Sequence, residues 1–101
     1  MTTREHGSSR PLSLERVLHA LGDPVRLGVV RQLASEGECS CAALNNGRPK
    51  SSMSHHFRVL KEAGLIQKRG QGATHMNSLD RAAIDAAFPG LLAAVLGVPA
   101  D

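Results

Sequence analysis

Apolar residues recur at helical spacing in the first third of the chain and predict two helices there. The first is capped by Ser13 and ends near residue 21. Its apolar stripe consists of Leu14, Val17, Leu18 and Leu21. The second begins at Asp23 and Pro24, since a carboxylate suits the N-cap and proline suits the first helical position. Residues 35–37, Ser-Glu-Gly, are predicted to end it.

The stretch from residue 51 to residue 65 predicts a helix with two unlike faces. Its apolar stripe consists of Met53, Phe57 and Leu60, with His56 at the edge. The other face carries short polar side chains followed by cations. Ser51 is its predicted N-cap, and Gly64 ends it. A short helix at 42–45 and a tight turn at 46–49 precede it, which together predict a helix-turn-helix.

The residues after this helix predict a β-hairpin and one more apolar segment. Residues 65–69 and 74–79 are the predicted strands, with basic residues near the turn. Asp80 is the predicted cap of a last helix, which Pro89 and Gly90 should kink or divide in two. The fold class is therefore mainly α with a small β-hairpin wing, a winged helix-turn-helix.

The length of 101 residues suits one domain. We assign residues 1–12 to a flexible arm, 13–97 to the folded domain and 98–101 to a tail. Aromatic residues make up only 2% of the chain, so the core must be aliphatic, and a small aliphatic core favours a homodimer. The predicted dimer interface consists of Leu14, Val17, Leu18, Ile84, Phe88, Leu91, Leu92 and Val95.

Positive charge is concentrated around the central helix. Between Arg48 and Arg69 there are six basic residues and one acidic residue, a net charge of +5, whereas the rest of the chain has a net charge of −2. This distribution favours a polyanionic partner. No apolar run is long enough to span a membrane, and the N-terminal residues lack the apolar centre of a signal peptide, so a cytoplasmic location is expected.

Three stretches of the chain resemble the ArsR/SmtB family of small bacterial winged-helix repressors. They are LHALGDPVRL at 18–27, CSC at 39–41 and SHHFRVLKEAGLI at 54–66, and the resemblance covers roughly residues 14–80. It implies a homodimer that binds a palindromic operator on double-stranded DNA, represses a nearby gene and is released by an effector. The first and last helices would form the dimer interface, and the central helix would enter the major groove.

The resemblance also implies which residues contact DNA. Candidates for base contacts are Ser52, Ser54, His55 and Arg58. Candidates for phosphate contacts are Lys50, Ser51, Lys61, Lys68 and Arg69. For His56, packing beside Met53 and Leu60 is favoured over base contact. The wing departs from the family pattern, because Ala73 and Met76-Asn77 stand where such proteins often have arginine and tyrosine.

Cys39 and Cys41 lie where metal-sensing relatives have Cys-x-Cys, and thiolates bind soft metals and metalloids. The third cysteine of the arsenic pattern is replaced by Leu44, and the only candidate ligand in the N-terminal arm is His6. Three interpretations stay open: a thiophilic metal or metalloid site, a thiol oxidation or persulfide switch, or an unused remnant. No cofactor is predicted beyond such an ion.

Two function classes other than DNA binding are considered. The chain has no phosphate-binding glycine loop, no nucleophile elbow and no HExxH motif, so we do not predict an enzyme. A winged helix that binds protein, or a thiol- or metal-handling protein, remains the alternative. Salt-dependent binding to duplex DNA would distinguish these from a DNA-binding regulator.

Overall fold

The computed structural model describes residues 12–71 and 74–97. Their order of elements confirms the mainly helical winged fold. The elements are α1 (Leu14–Leu21), α2 (Pro24–Glu36), β1 (Cys39–Ser40), α3 (Cys41–Asn45), α4 (Lys50–Glu62), β2 (Ile66–Gln71), β3 (Thr74–Leu79), α5 (Arg81–Ala87) and α6 (Leu91–Leu96). The predicted arm up to residue 11, residues 72–73 of the predicted hairpin and the tail at 98–101 lie outside the described residues.

Polar side chains cap α1 and α2 as predicted. The Ser13 side chain accepts a hydrogen bond from the Arg16 N–H, and the Asp23 carboxylate accepts from the N–H groups of residues 25 and 26. Ser40 caps α3 in the same way, so α3 begins at Cys41, one residue earlier than predicted. Each of these side chains satisfies a backbone donor that has no partner within the helix.

The N-cap of α4 is Pro49, and the assignment of Ser51 to that position was wrong. The backbone of Pro49 is extended, and its carbonyl accepts from the N–H groups of Ser52 and Met53. The helix therefore starts at Lys50, and Ser51 lies in its exposed first turn. Proline fixes its own φ near the required value, so a cap without a polar side chain is possible here.

The three strands form an antiparallel sheet in the order β1-β3-β2. The hairpin of β2 and β3 confirms the predicted wing, with Ile66 opposite Leu79. The strand β1 was not predicted, since two residues are too few to show an alternating pattern. It pairs Cys39 with Asn77, which joins the cysteine segment to the wing.

The core is aliphatic, as the composition requires, and unites residues from α1 to α6. Its most deeply buried large side chains belong to Val17, Val30, Leu33, Leu44, Met53, Leu60, Leu65, Ile84 and Leu92. Gly64 ends the last turn after α4 with a φ of +83°, and a side chain there would collide with Leu12. Helix α4 and the wing therefore pack against the same core.

The dimer interface predicted from the apolar stripes needs a correction. Val17, Ile84 and Leu92 are completely buried within the single chain, so their side chains belong to its own core. Leu14 and Leu18 are 44% and 48% exposed. Phe88, Leu91 and Val95 are half-buried, and with the two leucines of α1 they remain the predicted interface.

The C-terminal segment is divided at Pro89 and Gly90 into α5 and α6, which was one of the two predicted outcomes. Asp80 is at the N-cap position of α5 as predicted, but its carboxylate accepts a hydrogen bond of 2.7 Å from Gln67 and makes no capping bond. Asp80 therefore ties the start of α5 to β2. Among the described residues, no helix has the length and hydrophobicity needed to cross a membrane.

Candidate nucleic-acid interface

The exposed surface of α4 carries the predicted DNA contacts. Met53 and Leu60 turn the apolar side of the helix into the core, where both are fully buried. Every residue predicted to contact a base or a phosphate is exposed on α4 or β2: Lys50, Ser51, Ser52, Ser54, His55, Arg58, Lys61, Lys68 and Arg69. The amphipathic pattern thus fixes which side of α4 is available to a partner.

A groove of about 460 Å³ lies between α4, α3 and the wing. Four of its lining residues are cations, three from α4 and one from β2: Lys50, Arg58, Lys61 and Lys68. Ser54 lines it as well. Cations from a helix and from a neighbouring strand converge on one concavity, which suits the closely spaced phosphates of a nucleic acid backbone.

Two of the serines on α4 donate their hydroxyl protons to the helix backbone. Ser52 Oγ donates to the Pro49 carbonyl at 3.0 Å, and Ser54 Oγ donates to the Lys50 carbonyl at 3.2 Å. In this state both oxygens can still accept hydrogen bonds. These short side chains let a duplex approach the first turns of α4 closely.

Arg69 differs from the other cations because it already has an acidic partner. Its guanidinium lies 2.6 Å from the Glu38 carboxylate, in an ion pair that is exposed to solvent. Such a pair contributes about 1 kcal/mol or less to folding. A phosphate that contacts Arg69 must compete with Glu38 for it.

Glu38→Gln should strengthen DNA binding. The change removes a negative charge and leaves Arg69 available for a phosphate, so we expect affinity for any duplex to rise about threefold, with little effect on thermal stability. Fluorescence anisotropy with labelled duplexes measures the affinity. Glu36→Gln is the matched control, since it removes the same charge from a carboxylate that contacts Cys39, whereas Glu38 pairs with Arg69. Unchanged or weaker binding by Glu38→Gln would contradict a role of Arg69 at the DNA.

Lys68→Ala should weaken binding to all duplex sequences alike. Lys68 lines the groove from the wing side, and an ammonium there would contact phosphate and not a base edge. We expect the slope of log affinity against log salt to fall by about 1. An unchanged slope would show that the wing does not reach the backbone.

The two cysteines have different surroundings. Cys39 is buried, and its thiol lies 3.4 Å from a Glu36 carboxylate oxygen. Burial, and then the Glu36 carboxylate, raise the pKa of the Cys39 thiol. Cys41 is half-buried, lines the groove and accepts a hydrogen bond of 3.3 Å from the Asn77 side chain.

No pattern in the sequence indicates the role of Asn77. Its side chain is 1% exposed and donates to the Cys39 carbonyl as well as to the Cys41 sulfur. It therefore connects both cysteines to the central strand of the sheet. Within the part of the chain that the structure describes, no three side chains of His, Cys, Asp or Glu converge as metal ligands, and His6 lies outside that part.

The inner side of α4 makes a polar contact that was also missed. His56 is half-buried, and its Nδ1 lies 3.2 Å from a terminal nitrogen of Arg26 and 3.9 Å from the Asp23 carboxylate. The prediction favoured packing for this ring, and the ring does face inward, but it does so toward a buried arginine. The hydrogen bond from the Arg26 backbone N–H is the main reason why the pKa of the Asp23 carboxyl is lowered.

Fold and surface together define a winged helix-turn-helix domain with a cationic outer face. The model of a helix-turn-helix domain family matches residues 21–69. The arsenical resistance operon repressor of Staphylococcus xylosus is 30% identical over 73 residues, which cover 71% of this chain and 70% of that protein. The chain belongs to the ArsR/SmtB family of winged-helix transcriptional regulators.

Two further relatives are matched over a smaller share of their own length. An HTH-type transcriptional regulator of Methanocaldococcus jannaschii is 36% identical over 58 residues, or 55% of this chain. The cadmium resistance transcriptional regulatory protein CadC homolog of Staphylococcus aureus is 32% identical over 79 residues, or 76% of this chain. In both cases the match spans 65% of the relative's length.

Solved structures show the same architecture. The chain is similar to the transcriptional repressor BigR from Xylella fastidiosa, with a TM-score of 0.61 and 28% identity over 74% of this chain and 85% of that one. NolR from Sinorhizobium fredii gives a TM-score of 0.65 and 26% identity over 90% of this chain and 100% of that one.

Proposed function

We propose that this protein is a sequence-specific DNA-binding transcriptional regulator, a repressor, that acts in the cytoplasm without catalysing a reaction. The observation that carries the proposal is the cationic groove between α4 and the wing, whose lining has four cations and one carboxylate, Glu62. The four cations are Lys50, Arg58, Lys61 and Lys68. In this proposal the N-terminal half of α4 enters the major groove, where Ser52, Ser54, His55 and Arg58 contact base edges. The lysines neutralise the flanking phosphates.

A homodimer on a palindromic operator is the second part of the proposal. Leu14 and Leu18 are four residues apart, so they lie on one side of α1, and both are exposed. Phe88, Leu91 and Val95 add apolar surface that the single chain only half covers. A second copy would bury these side chains and place two α4 helices on symmetric half-sites.

The direct test is an anisotropy titration of duplex DNA with the purified protein at several salt concentrations. We expect affinity to fall steeply with salt, by about 0.9 log units per log unit of salt for each phosphate contacted. A protein-binding winged helix would show weak binding to duplex without this dependence. That result would reject the proposed function.

The regulatory part of the proposal places the effector at Cys39 and Cys41. A thiophilic metal or metalloid, or thiol oxidation, would act there. Support comes from Asn77, whose amide bonds both the Cys39 carbonyl and the Cys41 sulfur. A change at Cys41 would break the second bond, and α3 and the wing would then be free to shift relative to each other.

The cysteine proposal predicts that As(III), Cd(II) or peroxide lowers the DNA affinity of the parent but not of the Cys39→Ser, Cys41→Ser double variant. A tenfold loss of affinity requires about 1.4 kcal/mol of coupling between the effector site and the DNA site. Each single variant should be measured too, since only the Cys41 sulfur is bonded by Asn77. Equal responses of the parent and the double variant, or no response of either, would exclude these residues as the sensor.

A further inference from the structure

Arg26 is the most deeply buried charged side chain among the described residues, with 6% exposure. A guanidinium in such a place requires partners for its N–H groups, because an unpaired buried charge is costly. Its Nε donates to the Ala20 carbonyl at 2.9 Å, and one terminal nitrogen donates to the His19 carbonyl at 3.2 Å. The other terminal nitrogen lies 3.2 Å from His56 Nδ1.

The two carbonyls that Arg26 contacts belong to the last turn of α1. Carbonyls at the end of a helix have no partner in that helix, and they lie at the negative end of its dipole. Arg26 thus supplies a donor to the Ala20 carbonyl and a second donor to the His19 carbonyl, which also accepts from the Gly22 N–H at 3.2 Å. Its forked side chain fixes the end of α1 in relation to the first turn of α2.

The third contact extends this link to α4. A guanidinium can only donate, so this contact is a hydrogen bond in the tautomer of His56 that has its ring proton on Nε2. The Asp23 carboxylate lies 3.9 Å from the same Nδ1. Met53 and Leu60 also hold α4 against the core, but apolar packing is not directional. The Arg26–His56 hydrogen bond is directional, and it lies one residue from His55 and two from Arg58.

Side chains project outward from the axis of a helix. A small rotation of α4 about its axis therefore moves the base-contacting side chains away from their targets. Helix α1 carries the exposed Leu14 and Leu18 of the proposed dimer face. Arg26 therefore joins the C-terminal end of α1, which carries the proposed dimer face, to the inner face of α4, which is proposed to bind DNA, within one protomer. The relative position of these helices decides how two α4 helices fit two half-sites.

We propose that Arg26 and His56 are positioning residues that set the rotation of α4 relative to α1, and that sequence-specific binding depends on their hydrogen bond whereas non-specific binding does not. This inference rests on the proposed function. Phosphate contacts tolerate small rotations, because long lysine side chains reach a diffuse charge, but base contacts require fixed geometry.

The test compares His56→Phe, which keeps the ring volume without an acceptor, with His56→Gln, whose amide oxygen can accept from Arg26. The measured quantity is the ratio of the dissociation constants for a non-operator duplex and for a duplex that the parent selects from a random library. We expect His56→Phe to lower this ratio about tenfold through weaker operator binding, and His56→Gln to stay within about threefold of the parent. The dissociation constant for the non-operator duplex should be unchanged.

His19→Phe is the matched control, since it makes the same substitution at an exposed histidine of α1 whose ring has no hydrogen bond among the described residues. Circular dichroism and sedimentation establish that each variant is folded and in the same oligomeric state as the parent. His56→Leu is a second variant without an acceptor, in case the Phe ring cannot be accommodated. Arg26→Lys combined with His56→Phe should cause no more loss than Arg26→Lys alone, because the two residues act through one bond.

An unchanged ratio in a folded variant without an acceptor would overturn the inference, as would equal losses in His56→Phe and His56→Gln. If the unmodified protein bound all duplexes alike, the proposed function itself would fail. The two failures are distinguishable because only the second appears in the parent.

Discussion

Leu92→Asp is expected to unfold the protein, whereas Leu18→Asp is expected to leave it folded and monomeric. Leu92 is 0% exposed within the single chain, and Leu18 is 48% exposed. A carboxylate at Leu92 would lose its hydration and leave a hole in the core, at a cost of about 4–5 kcal/mol or more. That is a large part of the stability of a small domain. Thermal unfolding followed by circular dichroism measures the difference.

The same pair of variants separates the core from the proposed dimer face. We expect Leu18→Asp to sediment as a monomer and to lose about a hundredfold in affinity for a two-half-site operator, since one chain can no longer hold both half-sites. Leu18→Ala is the milder control. A folded, dimeric Leu18→Asp with parental affinity would exclude α1 from the interface, and a folded Leu92→Asp would contradict the described core.

Arg58→Ala is expected to lower operator affinity by about 1–3 kcal/mol, the range for losing a bidentate contact with a guanine. Arg58 is exposed on α4 and lines the cationic groove, so it can reach a base edge with little effect on folding. Binding to non-operator duplex should weaken much less, so the specificity falls with the affinity. Competition titrations with both duplexes measure the two effects.

Arg81→Ala is a suitable control, because Arg81 is exposed on α5 and lies 3.6 Å from Asp85 of the same helix. It removes the same charge from a surface outside α4 and the wing. If Arg58→Ala binds the operator as well as the parent does, Arg58 does not contact a base. Equal losses in Arg58→Ala and Arg81→Ala would show that only net charge matters.

Local patterns were sufficient to predict the helices and the exposed face of α4. Ser13 and Asp23 cap helices because their short polar side chains can reach neighbouring backbone N–H groups. The same rule failed at Ser51, since Pro49 provides the first helical acceptor through its carbonyl. An apolar stripe also shows that a surface is covered without showing what covers it, which is why Leu92 was assigned to the dimer interface.

Contacts between distant parts of the chain could not be predicted from spacing. Arg26 and His56 are 30 residues apart, and Asn77 follows Cys41 by 36. In the sequence, Arg26 is one of two cations in α2, and Asn77 is one polar residue in a strand with mixed polarity. Their roles depend on which carbonyl or sulfur the fold brings within reach.

Selection of duplexes from a random library by the unmodified protein tests the central claim most directly. The account predicts enrichment of one sequence, arranged as an inverted repeat with half-site centres about 10 base pairs, or one helical turn, apart. It also predicts that excess unrelated duplex does not remove the protein from that sequence at physiological salt. Recovery of duplexes with no common sequence would contradict a sequence-specific regulator, and a single half-site without a repeat would contradict the dimer.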